Sequence, residues 1–269
     1  MVDATAAPAA RADRGAGEID AELRALATPQ RAESERRYLK SDRLHYGTSV
    51  PDVRATVKRF LRAEPALDHD DLLAVCQALW DHRAIDDAGT QRPVHDRRMA
   101  ALELLQLRTK LLSAADLRVL EQMLRESGTW ALVDGLAGNV VADIVAAEPD
   151  ALEVLDRWVA DADFWVRRSA VLGLRTLLRN GTELERFFRY ADQLLPEPEF
   201  FIRKVLGWVA RETGRRYPEP VAAWLRRNLA GMNGVTIREA VKSLPDGGAI
   251  LAEWKAAATA QPTRRNSVG

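Results

Sequence analysis

The stretch "GTWALVDGLAG", residues 128–138, places Trp130 and Asp134 four residues apart in a run that reads as helical. On a helix that spacing stacks the two side chains one turn apart on one face. A carboxylate in so apolar a run needs a partner, a ligand or water. Beside an indole, an ionised carboxylate could stabilise a positive charge that develops during a reaction and orient a water toward it. Hydrolysis of an N-glycosidic bond develops such a charge, because the sugar becomes oxocarbenium-like. Ordinary glycosidases add a second carboxyl as general acid. A leaving group that is already cationic needs none, so one carboxylate suffices.

The elements that must carry these residues are helices. No stretch alternates apolar and polar residues convincingly, whereas helical periodicity runs throughout. Thr28 before Pro29, Ser49 or Thr48 before Pro51, and Ser113 with Asp116 in its first turn all mark helix starts. Five segments align: "HDRRMAALELL", "TWALVDGLAGN", "FWVRRSAVLGL", "FIRKVLGWVAR" and "VTIREAVKSL". With the register fixed on Arg98, Asp134, Arg168, Lys204 and Arg238, the intervals are 36, 34, 36 and 34 residues. A period near 35 in paired helices predicts an all-α fold, a curved α-solenoid of HEAT-like repeats with a long concave surface. Residues 18–258 are expected to form one such domain. It would lie between a disordered N-terminal tail, residues 1–17, and a flexible C-terminal tail, residues 259–269.

Composition narrows the chemistry. The chain has 269 residues and a formal net charge of zero, so any polyanion surface must be a local patch. One cysteine, Cys76, excludes a disulfide within the chain and argues against a cysteine-based metal site. The four histidines, His45, His69, His82 and His95, lack metal-ligand spacing, and each reads as structural. No phosphate-cradling glycine motif is present, so no cofactor is expected. No segment approaches the roughly 18 consecutive apolar residues of a membrane helix, and the Ala-rich N-terminus lacks a signal-peptide core. A monomeric, cytoplasmic protein without a membrane partner is the expectation.

In the repeat register Asp134 is the one anion in a column of Arg98, Arg168, Lys204 and Arg238. Four residues earlier stand Trp130, Phe164 and Phe200, and Trp208 lies one turn beyond Lys204. Residues 199–242 carry nine Lys or Arg and four Glu, an excess of five positive charges. Such a ridge could be solvated, or laced by weak inter-repeat ion pairs with Asp134 linking Arg98 and Arg168. It could equally follow a nucleic-acid backbone, which fixes position and not sequence.

The chain resembles the AlkD-type DNA glycosylases, alkylpurine glycosylases built from HEAT-like repeats. The resemblance spans roughly residues 33–256. It is carried by "YLKSDRLHYGTSVP", "GTWALVDGLAG", "DFWVRRSAVLGL", "EFFIRKVLGWVARE" and "TIREAVKSL". It implies an active-site Trp and Asp at Trp130 and Asp134, an active-site Arg at Arg168, and a second aromatic wall at Trp208. It implies excision of cationic N3- or N7-alkylated purines from double-stranded DNA, without flipping the base into a pocket as most base-processing enzymes do. Bulky adducts would then be tolerated. Tyr38 and Lys40 in the first motif are candidates to line the cleft or to cap a helix. Arg167, Arg203, Lys204, Arg211, Arg238 and Lys242 are candidate DNA contacts. Several relatives carry an acidic residue directly after the Trp, where this chain has Ala131. The rival from another class is a non-catalytic HEAT-like scaffold that binds DNA or protein.

Overall fold

The computed structural model describes residues 6–260. Its contacts divide the chain into two compact units, Met1–Glu148 and Pro149–Gly269, where the repeat reading expects one continuous domain. The first unit contains α1 (Ala6–Ala25), α2 (Pro29–Leu39), α3 (Val50–Ala63), α4 (His69–Asp81), α5 (His95–Leu107) and α6 (Leu117–Ser127). It ends with α7 (Trp130–Gly135), which runs through a π-helical turn, Leu136–Val141, into α8 (Ala142–Ala147). The second unit contains α9 (Leu152–Trp158), α10 (Phe164–Gly173), α11 (Arg175–Arg179), α12 (Leu184–Leu194), α13 (Phe200–Gly214), α14 (Pro218–Arg227), α15 (Gly234–Ala240) and α16 (Gly247–Ala260). The all-α expectation holds, and the helices pair into repeats of the HEAT-like kind. The fifth repeat has its second helix too, in α16.

Local chemistry accounts for where the helices begin. α2 starts on Pro29 after Thr28, and α3 on the Ser49 side chain, which accepts the Asp52 N–H at 3.2 Å. The loop between them is the "YLKSDRLHYGTSVP" motif. Buried Asp96, at the start of α5, holds that loop by accepting the N–H groups of Tyr46, Gly47 and Thr48 at 2.8, 3.1 and 2.8 Å. Gly47 sits at φ +91°, and a Cβ there would meet the Thr28 carbonyl oxygen at 2.2 Å, so only glycine fits the turn. In the second unit α10 packs on α13, and α13 on α15. The last pair approaches closely across Gly207, where a Cβ would lie 2.7 Å from both Thr236 O and Glu239 Cβ.

Three features depart from the sequence-based expectations. Residues 6–17 belong to α1, where a disordered tail is expected. Ala12, Ala16, Ile19 and Leu23 form a buried stripe at helical spacing, packed on α4 and α3. Alanines contribute little to a hydropathy pattern, which hides the stripe. Residues 1–5 of that tail lie outside the described residues, as do 261–269 of the C-terminal one, whereas Thr259 and Ala260 are helical. Second, a hairpin interrupts the helices: β1 (Arg83–Ile85) pairs antiparallel with β2 (Gln91–Pro93). Its loop is organised by Asp86, which accepts the N–H groups of Ala88 and Thr90. Strands of three residues are too short to show an alternating pattern. Third, Trp130–Ala147 is long and apolar enough to span a bilayer by length and composition, with a mean hydropathy of 1.4. It carries Asp134, Asn139 and Asp143, 56% of it is buried, and it packs on α5 and α6 as a core helix.

Ala16 is 1% exposed. Ala16→Asp should therefore cost about 3 kcal/mol or more, the scale of burying an unpaired polar group. Urea unfolding checks this; an unchanged midpoint would mean that the N-terminal segment is dispensable after all.

Candidate functional site

Four of the five register residues share one structural position, set by the helix cap five residues earlier; Arg98 instead stands four residues after Val94, which makes no side-chain cap. Thr129, Asp163, Glu199 and Asn233 are the N-caps of α7, α10, α13 and α15. Their side chains accept from Ala131 N at 3.4 Å, Trp165 N at 2.8 Å, Phe201 N at 3.2 Å, and both Val235 N and Thr236 N at 3.1 and 2.9 Å. Each cap satisfies amide donors that the helix itself cannot. The residue after the cap is Trp130, Phe164, Phe200 or Gly234. Five after it stands Asp134, Arg168, Lys204 or Arg238, on the second turn.

In the first unit, Trp130 and Asp134 are both half-buried on α7. Tyr38, 73% exposed at the end of α2, meets Trp130 edge-on with ring centroids 5.8 Å apart. Lys40 is the C-cap of α2, in the left-handed region at φ 48°, with its N–H on Arg36 O and Arg37 O. Tyr38 thus packs on Trp130, and Lys40 caps the helix. The π turn begins two residues after Asp134. Such a turn inserts one residue into a helix and is common at functional sites. Gly135 lets α7 lie against α5, since a Cβ there would meet Leu102 Cδ2 at 2.5 Å.

Behind this face lies a buried cationic cluster. Arg43 and Arg98 each donate to Glu126 O at 2.6 Å, at the last turn of α6. The Arg98 guanidinium lies 4.5 Å from the Trp80 ring centroid, and burial together with the charge of Arg43 pushes its pKa down to about 10. His95 is driven well below its ordinary pKa by burial and by the charges of His45, Arg43 and Arg98, so it is neutral.

In the second unit Arg168 is only 3% exposed. It donates to the Phe201 carbonyl of the next repeat, and its guanidinium carbon lies 6.0 Å from the Phe201 ring centroid. Arg98 and Arg168 each fasten a helix to backbone carbonyls of their own unit, Arg98 to Glu126 within its repeat and to Trp80 in the preceding pair, and Arg168 to the next repeat. Arg167 donates to Glu197 at 2.9 Å and Arg203 to the Glu197 carbonyl at 2.8 Å. Lys204, Arg211 and Lys242 gather on one carboxylate, Glu239. Arg238 is exposed and lies 5.6 Å from the Trp254 ring centroid. The Trp208 Nε1–H donates to Glu212 at 2.9 Å, Glu212 pairs with Arg175 at 3.0 Å, and Arg175 lies 4.9 Å from the Trp208 ring centroid. Glu212 follows Trp208 at the same four-residue spacing as Asp134 follows Trp130. That spacing was available in the sequence as a sign that Trp208 also has an acidic neighbour. The roles of Glu239, Arg175 and Arg43 had no such signal.

One group among the described residues has metal-ligand types in proximity: Glu35, His45 and His95, with ligand atoms within 4.8 Å of one another. The two rings stack at 4.5 Å, which aims their in-plane lone pairs side by side and not at one point. His45 Nδ1 already lies 3.1 Å from Glu35. Arg43 and Arg98 make the surroundings positive, so a dication is disfavoured there, in keeping with the structural reading of these histidines. The first unit also has an open cleft of about 860 Å³, lined by residues of α2, the following loop and the hairpin, Arg36, Arg43 and Arg92 among them. Neither Trp130 nor Asp134 lines it.

A family model described as DNA alkylation repair enzyme matches residues 19–244. The chain belongs to that family, which places it in the repair of alkylated DNA. A solved structure described as a predicted DNA alkylation repair enzyme from Enterococcus faecalis has a TM-score of 0.71 at 19% identity, covering 81% of this chain and 97% of the other. At that identity the likeness concerns the fold. No curated protein matches the chain.

The burial of Arg168 turns it into a stability determinant. Arg168→Ala should lower the unfolding free energy by about 2–3 kcal/mol, the scale of a buried hydrogen bond from a charged donor. Arg238→Ala, at an exposed site, should change it by less than about 0.5 kcal/mol. Denaturant unfolding of the two variants checks the contrast, and equal small changes would contradict it.

Proposed function

We propose that the protein is a DNA glycosylase that hydrolyses the N-glycosidic bond of cationic N3- or N7-alkylated purines in duplex DNA, acting as a monomer. The observation that carries the reading is the Trp130–Asp134 pair, one helical turn apart on a capped helix, in a chain of the alkylation repair family. Asp134 stabilises the oxocarbenium-like deoxyribose and orients a water at its anomeric carbon. The water oxygen bonds to that carbon while the carbon–nitrogen bond breaks. The electron pair goes to the purine and neutralises its charge. The water's surplus proton passes to Asp134 or to solvent, leaving an abasic site and a neutral alkylpurine.

Trp130 presents an aromatic face one turn from the carboxylate, suited to packing on the sugar, and Tyr38 supports it edge-on. An extruded base would need a receiving pocket, and the first unit's large cleft lies elsewhere on that unit's surface. We read the chemistry as acting on a base left in the duplex, which the family resemblance implies and which would tolerate bulky adducts. In the second unit Trp208, held by Glu212, and the cations Arg203, Lys204, Arg211, Arg238 and Lys242 are proposed DNA contacts. Arg168 supports them from within. Lys40 and Arg167 complete the backbone contacts.

The charge of the leaving group sets the selectivity. The enzyme should release N7-methylguanine and N3-alkyladenine from duplex DNA and leave uracil and hypoxanthine in place. Trp130→Ala and Trp208→Ala should each slow excision of small and bulky adducts alike, because they act through the sugar. Base release from defined duplexes, followed by chromatography, tests this. Efficient removal of uracil would mean that neutral leaving groups are activated, which a lone carboxylate of this kind does not do.

A further inference from the structure

Four charged residues of the second unit form one knot at the junction of α13 and α15. Lys204 Nζ and Lys242 Nζ lie 3.0 and 2.9 Å from one carboxylate oxygen of Glu239, and Arg211 binds the other. The Glu239 side chain is 8% exposed, whereas those of Lys204 and Lys242 are 44% and 58% exposed. The anion is therefore inside and the two lysines outside, with Arg211, 27% exposed, between them. Gly207 makes the arrangement possible, because only a glycine lets α15 bring Glu239 so close to α13. Burial alone would raise the Glu239 carboxyl; hydrogen bonds from Lys242 and Lys204 and the charge of Arg211 overcome it and hold the pKa at about 2. Three cations and one anion leave a net charge of +2 on a small, partly exposed patch.

Without the carboxylate, three like charges clustered within a few ångströms would repel one another, and their long side chains would spread. With it, each ammonium spends one of its three donors on Glu239 and has others to turn outward. We propose that Glu239 is a positioning residue that holds Lys204, Arg211 and Lys242 together as a single clamp for adjacent phosphodiesters of a DNA strand. The proposal rests on the reading of the protein as DNA-binding. It goes beyond that reading by making the three cations one unit, organised by an anion that never touches the DNA. The opposite physical outcome is that the carboxylate competes with phosphate for the same cations, and the two outcomes differ in sign.

The test is binding of the full chain to a short undamaged duplex across a range of salt concentrations, with Glu239→Gln beside wild type and thermal unfolding as a control. The clamp predicts that Glu239→Gln weakens binding by about three- to tenfold at moderate salt. It also predicts a salt slope lower by about one unit, the equivalent of one lost phosphate contact. A slope unchanged beside a lowered melting temperature would show a purely structural role. A raised slope with tighter binding would show competition. Either overturns the proposal. Because the folded carboxyl sits below its ordinary 4.5, its pairing holds above that value and fails only as pH falls through about 2, so the difference should persist at pH 5. If Glu239→Gln does not fold, Lys204→Ala, Lys242→Ala and the double variant replace it. Members of one clamp lose binding non-additively, and strict additivity would refute the idea. Absence of any salt-dependent duplex binding by the wild type would instead reject the DNA-binding reading itself.

Discussion

The structure depends on how the backbone groups at the ends of its helices are satisfied. Each first helix of a repeat starts with amide donors that nothing in the helix can accept. Thr129, Asp163, Glu199 and Asn233 supply the acceptors from the side chain of the preceding residue. Side chains then reach across repeats to backbone carbonyls: Arg98 to Trp80, Arg168 to Phe201, and Thr236 to Arg203. These bonds fix the helix starts relative to one another within each unit. The exposed and half-buried residues of the first two turns are thereby set in place, and those residues include Trp130, Asp134, Phe200 and Lys204.

The same constraint separates scaffold charge from surface charge. Buried cations that donate to backbone carbonyls, such as Arg98 and Arg168, act as fasteners. Cations held by a buried carboxylate, such as Lys204 and Lys242 on Glu239, keep donors for a ligand. The indole of Trp208 is oriented in the same manner, by a hydrogen bond to Glu212 and a guanidinium from Arg175. A neighbour whose own position is fixed holds such a side chain in one orientation on the helix surface.

Much of this was legible in the sequence, and for identifiable reasons. The repeat period emerged because caps, aromatics and register residues recur together, and the structure places them at equivalent helical positions. The Trp130–Asp134 pair was visible because i, i+4 spacing is all that a helix needs to stack two side chains. What the sequence hid depended on tertiary partners. Arg168 and Lys204 occupy the same register, yet one is buried and the other half-exposed. The carbonyl that Arg168 meets and the carboxylate that Lys204 meets are tertiary partners that the register does not announce. The α1 stripe was hidden because alanines look neutral in hydropathy while packing well against a helix. The π turn after Asp134 left no mark in the sequence, since the interval that spans it, Asp134 to Arg168, is one of the shorter ones at 34 residues.

The proposed base release depends on one carboxylate, Asp134, acting electrostatically at a developing sugar cation. Single-turnover release of N7-methylguanine from duplex DNA by Asp134→Asn, with duplex affinity measured alongside, tests that most directly. The amide is nearly isosteric and cannot stabilise the cation, so the rate should fall by about a hundredfold or more, the scale of losing one preorganised electrostatic group, while affinity stays within a few-fold of wild type. An unchanged rate at unchanged affinity would contradict the account.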